Sequence, residues 1–481
     1  MATADFLDAT AALLGPRGFT RDPELIGPWL TDWRGRYTGR ALGLASPAST
    51  AEVAALVRLC AAHGVPIVPQ GGNSGMCGGA TPDESGAAIL LSLRRMNAIR
   101  RLDATAREAV CEAGVILQAL HEGAAAEGLR FPLTLGGKGT ATIGGLISTN
   151  AGGTQVLRHD SMRAQVLGIE AVLADGSLFD ALTPLKKDNR GFDLKQLLIG
   201  SEGTLGIITA ATLRLLPALA DRAVLWAGLG AVGDAPKLLA HAERVAGDAL
   251  EGFELMPQHS LQAVLAHVKG SRNPLQGEHA WHVLIELVAD AAHAAALPAL
   301  AQTLLESAFE AGLVEDATIA ANEAQAEAFW LLRDEIAPAE RALGPAMQHD
   351  ISVPVARMAA FIEDTAPQVE ARFPGVRVVA FGHLGDGNVH YHVLAPEGAL
   401  RGDWELGQGK EISTFVHDLV AQWHGSISAE HGIGQLKRDE LERLGDPVQL
   451  QLMRAVKQAL DPEGLLNPGK LVPLAPGAAN P

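Results

Sequence analysis

Pro69-Gln70-Gly71-Gly72-Asn73-Ser74-Gly75-Met76-Cys77-Gly78-Gly79-Ala80 follows the short β-type run Pro66-Ile67-Val68. Glycines without a Cβ let successive backbone N–H groups converge on an anion, and Asn73 and Ser74 add side-chain donors, the ingredients of a phosphate-holding nest. Tight loops of every kind use glycine, so one such run decides little by itself. Two later segments add to it. Leu135-Gly136-Gly137-Lys138-Gly139-Thr140-Ala141-Thr142-Ile143-Gly144-Gly145-Leu146-Ile147-Ser148-Thr149-Asn150-Ala151-Gly152-Gly153 packs small and hydroxyl residues around a short helix start, where unpaired N–H groups and the helix dipole favour a diphosphate. Gly200-Ser201-Glu202-Gly203-Thr204-Leu205-Gly206-Ile207-Ile208-Thr209 is a third glycine-rich turn, entering a β-branched strand. All three are flanked by apolar, strand-like runs instead of polar tails, which argues against linkers.

Working outward, Ser49-Thr50-Ala51-Glu52 reads as a capping box opening a helix through Val53, Leu56, Val57 and Cys60 toward Gly64. The local order is therefore helix, strand, phosphate loop. A strand at Val110 to Glu112, a helix from about Val115 to Glu127 and a strand at Val166 to Ala174 continue an α/β alternation, which closes at Leu213-Arg214-Leu215-Leu216-Pro217. In order and spacing, the three glycine segments resemble the flavin domain of the vanillyl-alcohol oxidase or p-cresol methylhydroxylase (PCMH) family over residues 38–217. The resemblance implies FAD, with its diphosphate in the first two loops. It also implies cofactor contacts from Pro69, Gly71, Gly72, Asn73, Ser74, Gly75, Met76, Leu135, Gly136, Thr142, Gly144, Gly145, Ser148, Thr149, Asn150, Gly152, Gly153, Glu202, Gly203, Gly206, Ile207 and Ile208, to which the C-terminal motif taken up below adds Asn467. Asp32-Trp33-Arg34-Gly35-Arg36-Tyr37 looks like the approach to this domain.

The chain has 481 residues, 48% of them hydrophobic, enough apolar mass for two domains. Its net charge of −17 argues against a nucleic-acid partner. Cys60, Cys77 and Cys111 lack C-x-x-C spacing and lie in or beside apolar runs, so buried thiols in a reducing compartment are expected. The first fourteen residues carry Asp5 and Asp8 and show no basic segment followed by an apolar one. No run of eighteen apolar residues occurs. A cytoplasmic protein without a transmembrane segment is the expectation, and the tail from Pro473 to Pro481 reads as disordered.

From Arg222 the pattern changes. Strands are expected at Ala223 to Trp226, Gly252 to Leu255 and His282 to Leu287, and helices near Pro236 to Ala246, Ala291 to Ala311 and Ala321 to Ile336, together a ferredoxin-like α+β sheet roofed by helices. Gly228-Leu229-Gly230-Ala231-Val232-Gly233 fits a dinucleotide fingerprint, but helical periodicity starts only after Asp234, too late for its last glycine to serve helix packing.

The chemistry collects near the C-terminus. Gly382-His383-Leu384-Gly385-Asp386-Gly387-Asn388-Val389-His390-Tyr391-His392 places two strands around a Gly-Asp-Gly-Asn connection, which can bring His383 and His390 together. With Glu430 of Ser428-Ala429-Glu430-His431-Gly432-Ile433-Gly434 they make a three-ligand divalent site with positions open for substrate. His431 is the natural general base, orienting a ligand or serving as a fourth ligand being the other reading. His392 shares a face with His390 and is assigned an outer role.

These motifs and Asn467-Pro468-Gly469-Lys470 look like the FAD-linked D-2-hydroxyacid dehydrogenase family, which includes D-2-hydroxyglutarate dehydrogenase, D-lactate dehydrogenase and the glycolate oxidase flavoprotein subunit. The resemblance implies noncovalent FAD and a zinc-type metal on His383, His390 and Glu430. It places Asn388 near the substrate, makes His431 the base, and has electrons leave for an electron-transfer flavoprotein, quinone or cytochrome. Arg333 matches the family's carboxylate-binding arginine. Ala337 stands where the 2-hydroxyglutarate enzymes have Thr and Gln348 where they have Lys, so a monocarboxylic D-2-hydroxy acid is at least as well supported as 2-hydroxyglutarate. A metal-independent flavin oxidase of a sugar or alcohol is the alternative; it leaves the histidine pair without a role. The expected division is a lead-in over 1–37, a PCMH-type FAD-binding domain over 38–217, a substrate domain over 218–425 and a returning segment over 426–481, with a homodimer possible.

Overall fold

The computed structural model describes residues 2–472; the tail read from the sequence as disordered lies outside them. The described chain divides into two compact units, one over residues 2–153, 160–217 and 430–472, the other over 154–159 and 218–429.

In the first unit the helix Thr50–His63 starts where the capping box puts it. The Ser49 side chain accepts from Glu52 N, and the Glu52 carboxylate reaches back one residue further than the standard box, to Ala48 N at 2.8 Å. Gly64 ends the helix with φ 64°, and the chain turns into Ile67–Gln70. That strand pairs in parallel with Ile89–Ser92, which pairs in parallel with Leu44–Ala45. Ile89–Ser92 is buried throughout, which explains its unbroken Ile-Leu-Leu. The unit's other large sheet holds the strands expected at Val110 to Glu112 and Val166 to Ala174, with the expected helix between them in sequence at Leu117–Ala126. Its five strands, in the order Ile99–Asp103, Glu108–Glu112, Ile207–Arg214, Val166–Val172, Leu178–Ala181, are antiparallel throughout. A helical period between two strand periods does not set strand direction. One apolar core joins Val53, Leu56 and Cys60 of the first helix to Cys111, Ile169, Ala211 and Leu213 of this sheet and to Leu466.

The second unit is built on a seven-stranded, wholly antiparallel sheet. Asp221–Leu229, Leu250–Pro257, Trp281–Ala289 and Asp316–Ile319 take the spatial order fourth, first, third, second, a ferredoxin-like arrangement. Arg377–His383, Asn388–Leu394 and Ala346–Ser352 extend it beyond Leu250–Pro257. Separate apolar clusters line the two faces, so the strands are buried on both sides. The helix expected to Ile336 breaks at Glu335 into Glu323–Asp334 and Ile336–Leu343. The fingerprint-like glycines serve local packing: a Cβ on Gly228 would lie 2.4 Å from the His279 ring, and one on Gly230 would lie 2.5 Å from Glu315 Oε1. The following helix, Ala235–Ala246, begins after Gly233.

Candidate active site

In the first unit, the glycine loop after Ile67–Gln70 leaves its amides open. The backbone N–H groups of residues 72–76 make no hydrogen bond among the described residues. Asn73 holds φ 51°. Gly72 has no room for a side chain, because a Cβ there would lie 1.8 Å from Thr140 O, and a Cβ on Gly71 would lie 2.3 Å from Thr142 Oγ1. The first two glycine segments are thus pressed together. The loop is also braced from outside: Asn73 Nδ2 donates to Thr31 O, Gln70 Nε2 to Trp29 O and Ala80 O, and Arg34 Nη2 contacts Met76 Sδ at 3.0 Å. Asp32, bonded to the amides of Arg34 and Tyr37, folds the 32–37 turn that provides part of this brace.

The second segment departs from expectation. Thr142 caps the helix Ile143–Thr149, but the amides reserved for a diphosphate are spent inside the unit: Ile143 N on Val115 O, Gly144 N on Ala113 O and Gly145 N on Thr142 Oγ1. Ser148 O accepts Glu202 N, Thr149 Oγ1 donates to Gly145 O, and Asn150 (φ 50°) accepts from Ser161 Oγ and Arg163 N. A Cβ on Gly153 would lie 2.1 Å from Thr134 O. In the third segment, Gly203 packs on Pro69, and Ile207 and Ile208 are buried as they start their strand.

Glu202 ties together separate segments of this unit. Its carboxylate accepts Ile433 N and Gly434 N, each at 2.7 Å, while its own carbonyl accepts Asn467 Nδ2. Asn467 Nδ2 also donates to Gly79 O, and Cys77 O accepts Gln435 N and Leu436 N. The loop carrying Glu430 and His431 is therefore fixed to the end of the first glycine loop. His431 Nε2 and Glu430 Oε1 lie 3.8 Å apart, both side chains partly exposed. Burial pushes the Glu202 carboxyl pKa up, opposed by the two amides and by Lys437 and Lys470. The open amides of residues 72–76 and the buried, unpartnered acceptors Gln70 Oε1 and Asn467 Oδ1 suit a large polar cofactor carrying both phosphate and donor groups.

The second unit holds the other half of the predicted chemistry. The hairpin pairs Phe381 with His390 and His383 with Asn388, and the His383 and His390 rings come to 5.4 Å. His383 Nδ1 is bound at 2.6 Å by Glu254 Oε1, and Glu254 Oε2 accepts Arg333 Nε at 2.7 Å. Glu254 is fully buried, in the middle of Leu250–Pro257. Burial alone would raise its carboxyl pKa, but His383 and Arg333 outweigh it and hold the group at about 2. Burial, then Arg333 and His383, push the His390 pKa well down, so it stands as a neutral imidazole. Two imidazoles, one fixed by a carboxylate on its far nitrogen, form a donor set that suits a divalent metal. Asn388 Nδ2 donates to Asp350 Oδ1 and Ile351 O, leaving its Oδ1 buried and unpartnered. His349 bonds Tyr391 O and Ser413 Oγ. Sequence reasoning missed Glu254, although its lone carboxylate within Gly252-Phe253-Glu254-Leu255-Met256 was a usable signal, since a charge in a buried strand needs a partner.

Known proteins place this chemistry. The family described as "FAD linked oxidases, C-terminal domain" matches residues 219–471, and "FAD binding domain" matches residues 41–181. A probable D-2-hydroxyglutarate dehydrogenase, mitochondrial, of Oryza sativa subsp. indica is 38% identical over 466 residues, 96% of this chain and 80% of the rice protein. The chain belongs to the FAD-linked D-2-hydroxyacid dehydrogenase family. A D-2-hydroxyglutarate dehydrogenase of Xanthomonas citri pv. viticola is 37% identical over 452 residues, covering 94% of this chain and 93% of that protein. The fold is shared with p-cresol methylhydroxylase at a TM-score of 0.76, 16% identity, covering 98% of this chain and 96% of that one. This family member is an FAD-dependent D-2-hydroxyacid dehydrogenase with a PCMH-type, two-domain FAD-binding architecture. The cytoplasmic expectation is corrected by the mitochondrial rice relative. The lack of a visible leader carries no information about compartment. No helix among the described residues is long and apolar enough to cross a membrane.

Proposed function

We propose that the enzyme oxidises a monocarboxylic D-2-hydroxy acid to the 2-oxo acid with help from a divalent metal, zinc by donor type, and passes the electrons to an acceptor other than NAD. The observation that carries this reading is the buried Glu254-Arg333-His383 cluster beside His390. Arg333, fixed through Nε by Glu254, holds the substrate carboxylate. His431 accepts the hydroxyl proton, and Asn388 orients the substrate. His383, His390 and Glu430 are the proposed metal ligands, by the family resemblance of their motifs. The metal, when bound, supplies a Lewis acid that lowers the pKa of the substrate hydroxyl. Noncovalent FAD supplies the acceptor for the hydride leaving the hydroxyl-bearing carbon, so substrate loses one hydride and one proton. The acceptor is an electron-transfer flavoprotein, quinone or cytochrome by family resemblance. Relatives are named for 2-hydroxyglutarate, but Ala337 and Gln348 remove the hydroxyl and the cation that a second buried carboxylate would need.

The test is anaerobic stopped-flow absorbance with a panel of D- and L-2-hydroxy acids, before and after chelation and zinc readdition. Zinc-dependent bleaching of the flavin by D-acids only is expected. Full-rate bleaching after verified metal removal would overturn the metal role, and bleaching by simple alcohols or sugars would favour a metal-independent oxidase.

A further inference from the structure

Gln348 lies on a strand paired with that of His392, and Ala337 lies on the helix of Glu340, all within the second unit. Gln348 lies directly opposite His392 in the pairing of Ala346–Ser352 with Asn388–Leu394. Strand alternation puts Gln348, His390 and His392 on one face. His392 is 5% exposed, and its Nδ1 lies 2.6 Å from Oε2 of Glu340, itself 1% exposed. Glu340 follows Ala337 by three residues on Ile336–Leu343, so both point to the same side of that helix. The His392 ring stands edge-on to Phe381 at 5.1 Å, and the Arg333 guanidinium lies 5.4 Å from the centre of the same ring. Arg333 and His392 thus flank one aromatic ring. No hydrogen bond occupies His392 Nε2 among the described residues.

We propose that His392, held by Glu340 and faced by Gln348, is the specificity-determining residue for the substrate side chain. It selects D-2-hydroxy acids whose side chain ends in an uncharged hydrogen-bonding group, such as a hydroxyl, over those ending in a second carboxylate. This rests on the reading of Arg333 as the holder of the substrate carboxylate. A second carboxylate entering a buried site needs a cation. Here a Glu340 carboxylate oxygen already lies 2.6 Å from the His392 ring, and neither Gln348 nor Ala337 supplies a cation. A hydroxyl can accept from the Gln348 amide and donate to, or accept from, His392 Nε2. The Ala337 methyl supplies neither a donor nor an acceptor, so selectivity falls to the other two side chains.

The experiment uses the full FAD-loaded chain with D-lactate, D-glycerate and D-2-hydroxyglutarate, measuring kcat/KM and, by calorimetry, binding of the corresponding 2-oxo acids. D-glycerate is expected to exceed D-lactate by about tenfold and D-2-hydroxyglutarate by about 100-fold, since a site built to bond a hydroxyl discriminates strongly. His392→Gln keeps a donor for Glu340 and should collapse the D-glycerate to D-lactate ratio toward unity in both measurements. Gln348→Lys, at a half-buried position, should raise the D-2-hydroxyglutarate to D-glycerate ratio about tenfold, and it decides the matter if His392→Gln does not fold. A wild-type preference for D-2-hydroxyglutarate, or ratios unmoved in a folded variant, would overturn the proposal. If none of the three acids reduced the flavin of a correctly loaded enzyme, the Arg333-centred reading itself would fall, an outcome distinct from altered ratios.

Discussion

Glu254 and Glu202 are both buried carboxylates, one in each unit, and they do opposite things with the same chemistry. Glu254, fully buried, spends its two oxygens on side chains, Arg333 Nε and His383 Nδ1, and those two partners draw its pKa to about 2 despite burial. Glu202, 9% exposed, spends its two oxygens on backbone amides, those of Ile433 and Gly434, and burial prevails to raise its pKa. The first fixes functional side chains by charge. The second fixes a stretch of backbone by geometry, with Asn467 linking it to Gly79. A buried carboxylate is therefore not one structural device, and removal should fail differently in the two places.

Breaking the Glu254 hub should have the largest effect. Glu254→Ala leaves a buried guanidinium without its counter-charge and frees the His383 ring, a loss of about 3–5 kcal/mol in unfolding free energy. Catalysis should fall about 10- to 100-fold, the range for losing a carboxylate behind a metal-ligating histidine, the role proposed for His383. Glu254→Gln should recover only part of the stability and little of the activity, because it keeps the shape but loses the charge and turns an NH2 group toward Arg333 Nε or His383 Nδ1. Denaturant unfolding and steady-state kinetics on both variants check this; equal recovery of both properties would show that Glu254 acts by shape alone.

Glu202→Gln attacks geometry instead. One carboxylate oxygen becomes an NH2 group facing a peptide N–H, costing roughly 1–3 kcal/mol. The 430–436 segment should then exchange its amide hydrogens faster, with kcat about tenfold lower through misplacement of His431 and FAD content unchanged. Hydrogen-exchange mass spectrometry is the deciding readout. Unaltered protection of Ile433 and Gly434 would mean that the carboxylate does not hold this loop.

The two hubs also mark what can be read from a linear sequence. Local signals translated directly: the capping box at Ser49, the late helix after Gly233 and the hairpin that pairs Phe381 with His390 all rest on contacts within a few residues along the chain or on regular alternation. Signals that depend on distant partners did not. The helix start at Ile143 looked open to phosphate because nothing local reveals that Ala113 and Val115 carbonyls occupy its amides. Glu202 resembled one more flavin-loop residue, since its partners lie more than 200 positions away. Arg333 was read from its motif, yet the group that orients it is 79 positions distant, in another strand. Strand direction in the five-stranded sheet was hidden for the same reason.

Lys470 sharpens the comparison with the smallest effect, because it is one of the cations acting on Glu202 and is itself displaced from its ordinary state. It is 4% exposed, and burial lowers its pKa to about 8, with Asp83 and Glu202 opposing and Arg438 reinforcing the shift. A lysine whose pKa is depressed by folding binds its proton more weakly in the native than in the unfolded chain. Between pH 8 and the ordinary lysine value of about 10.4, the unfolded chain holds the proton and the native one has lost it, so stability attributable to this group rises with pH. The wild-type protein should therefore gain on Lys470→Met across that window, by on the order of 2 kcal/mol, in urea unfolding at pH 7, 8, 9 and 10. Above pH 8 the loss of that cation also weakens the attraction opposing burial at Glu202, which leaves the two amides of Ile433 and Gly434 as its main support. The 430–436 segment should then depend more steeply on residue 202 at pH 9 than at pH 7. If Glu202→Gln changes hydrogen exchange there equally at both values, Lys470 does not act on the hub, and Glu202 works through geometry alone.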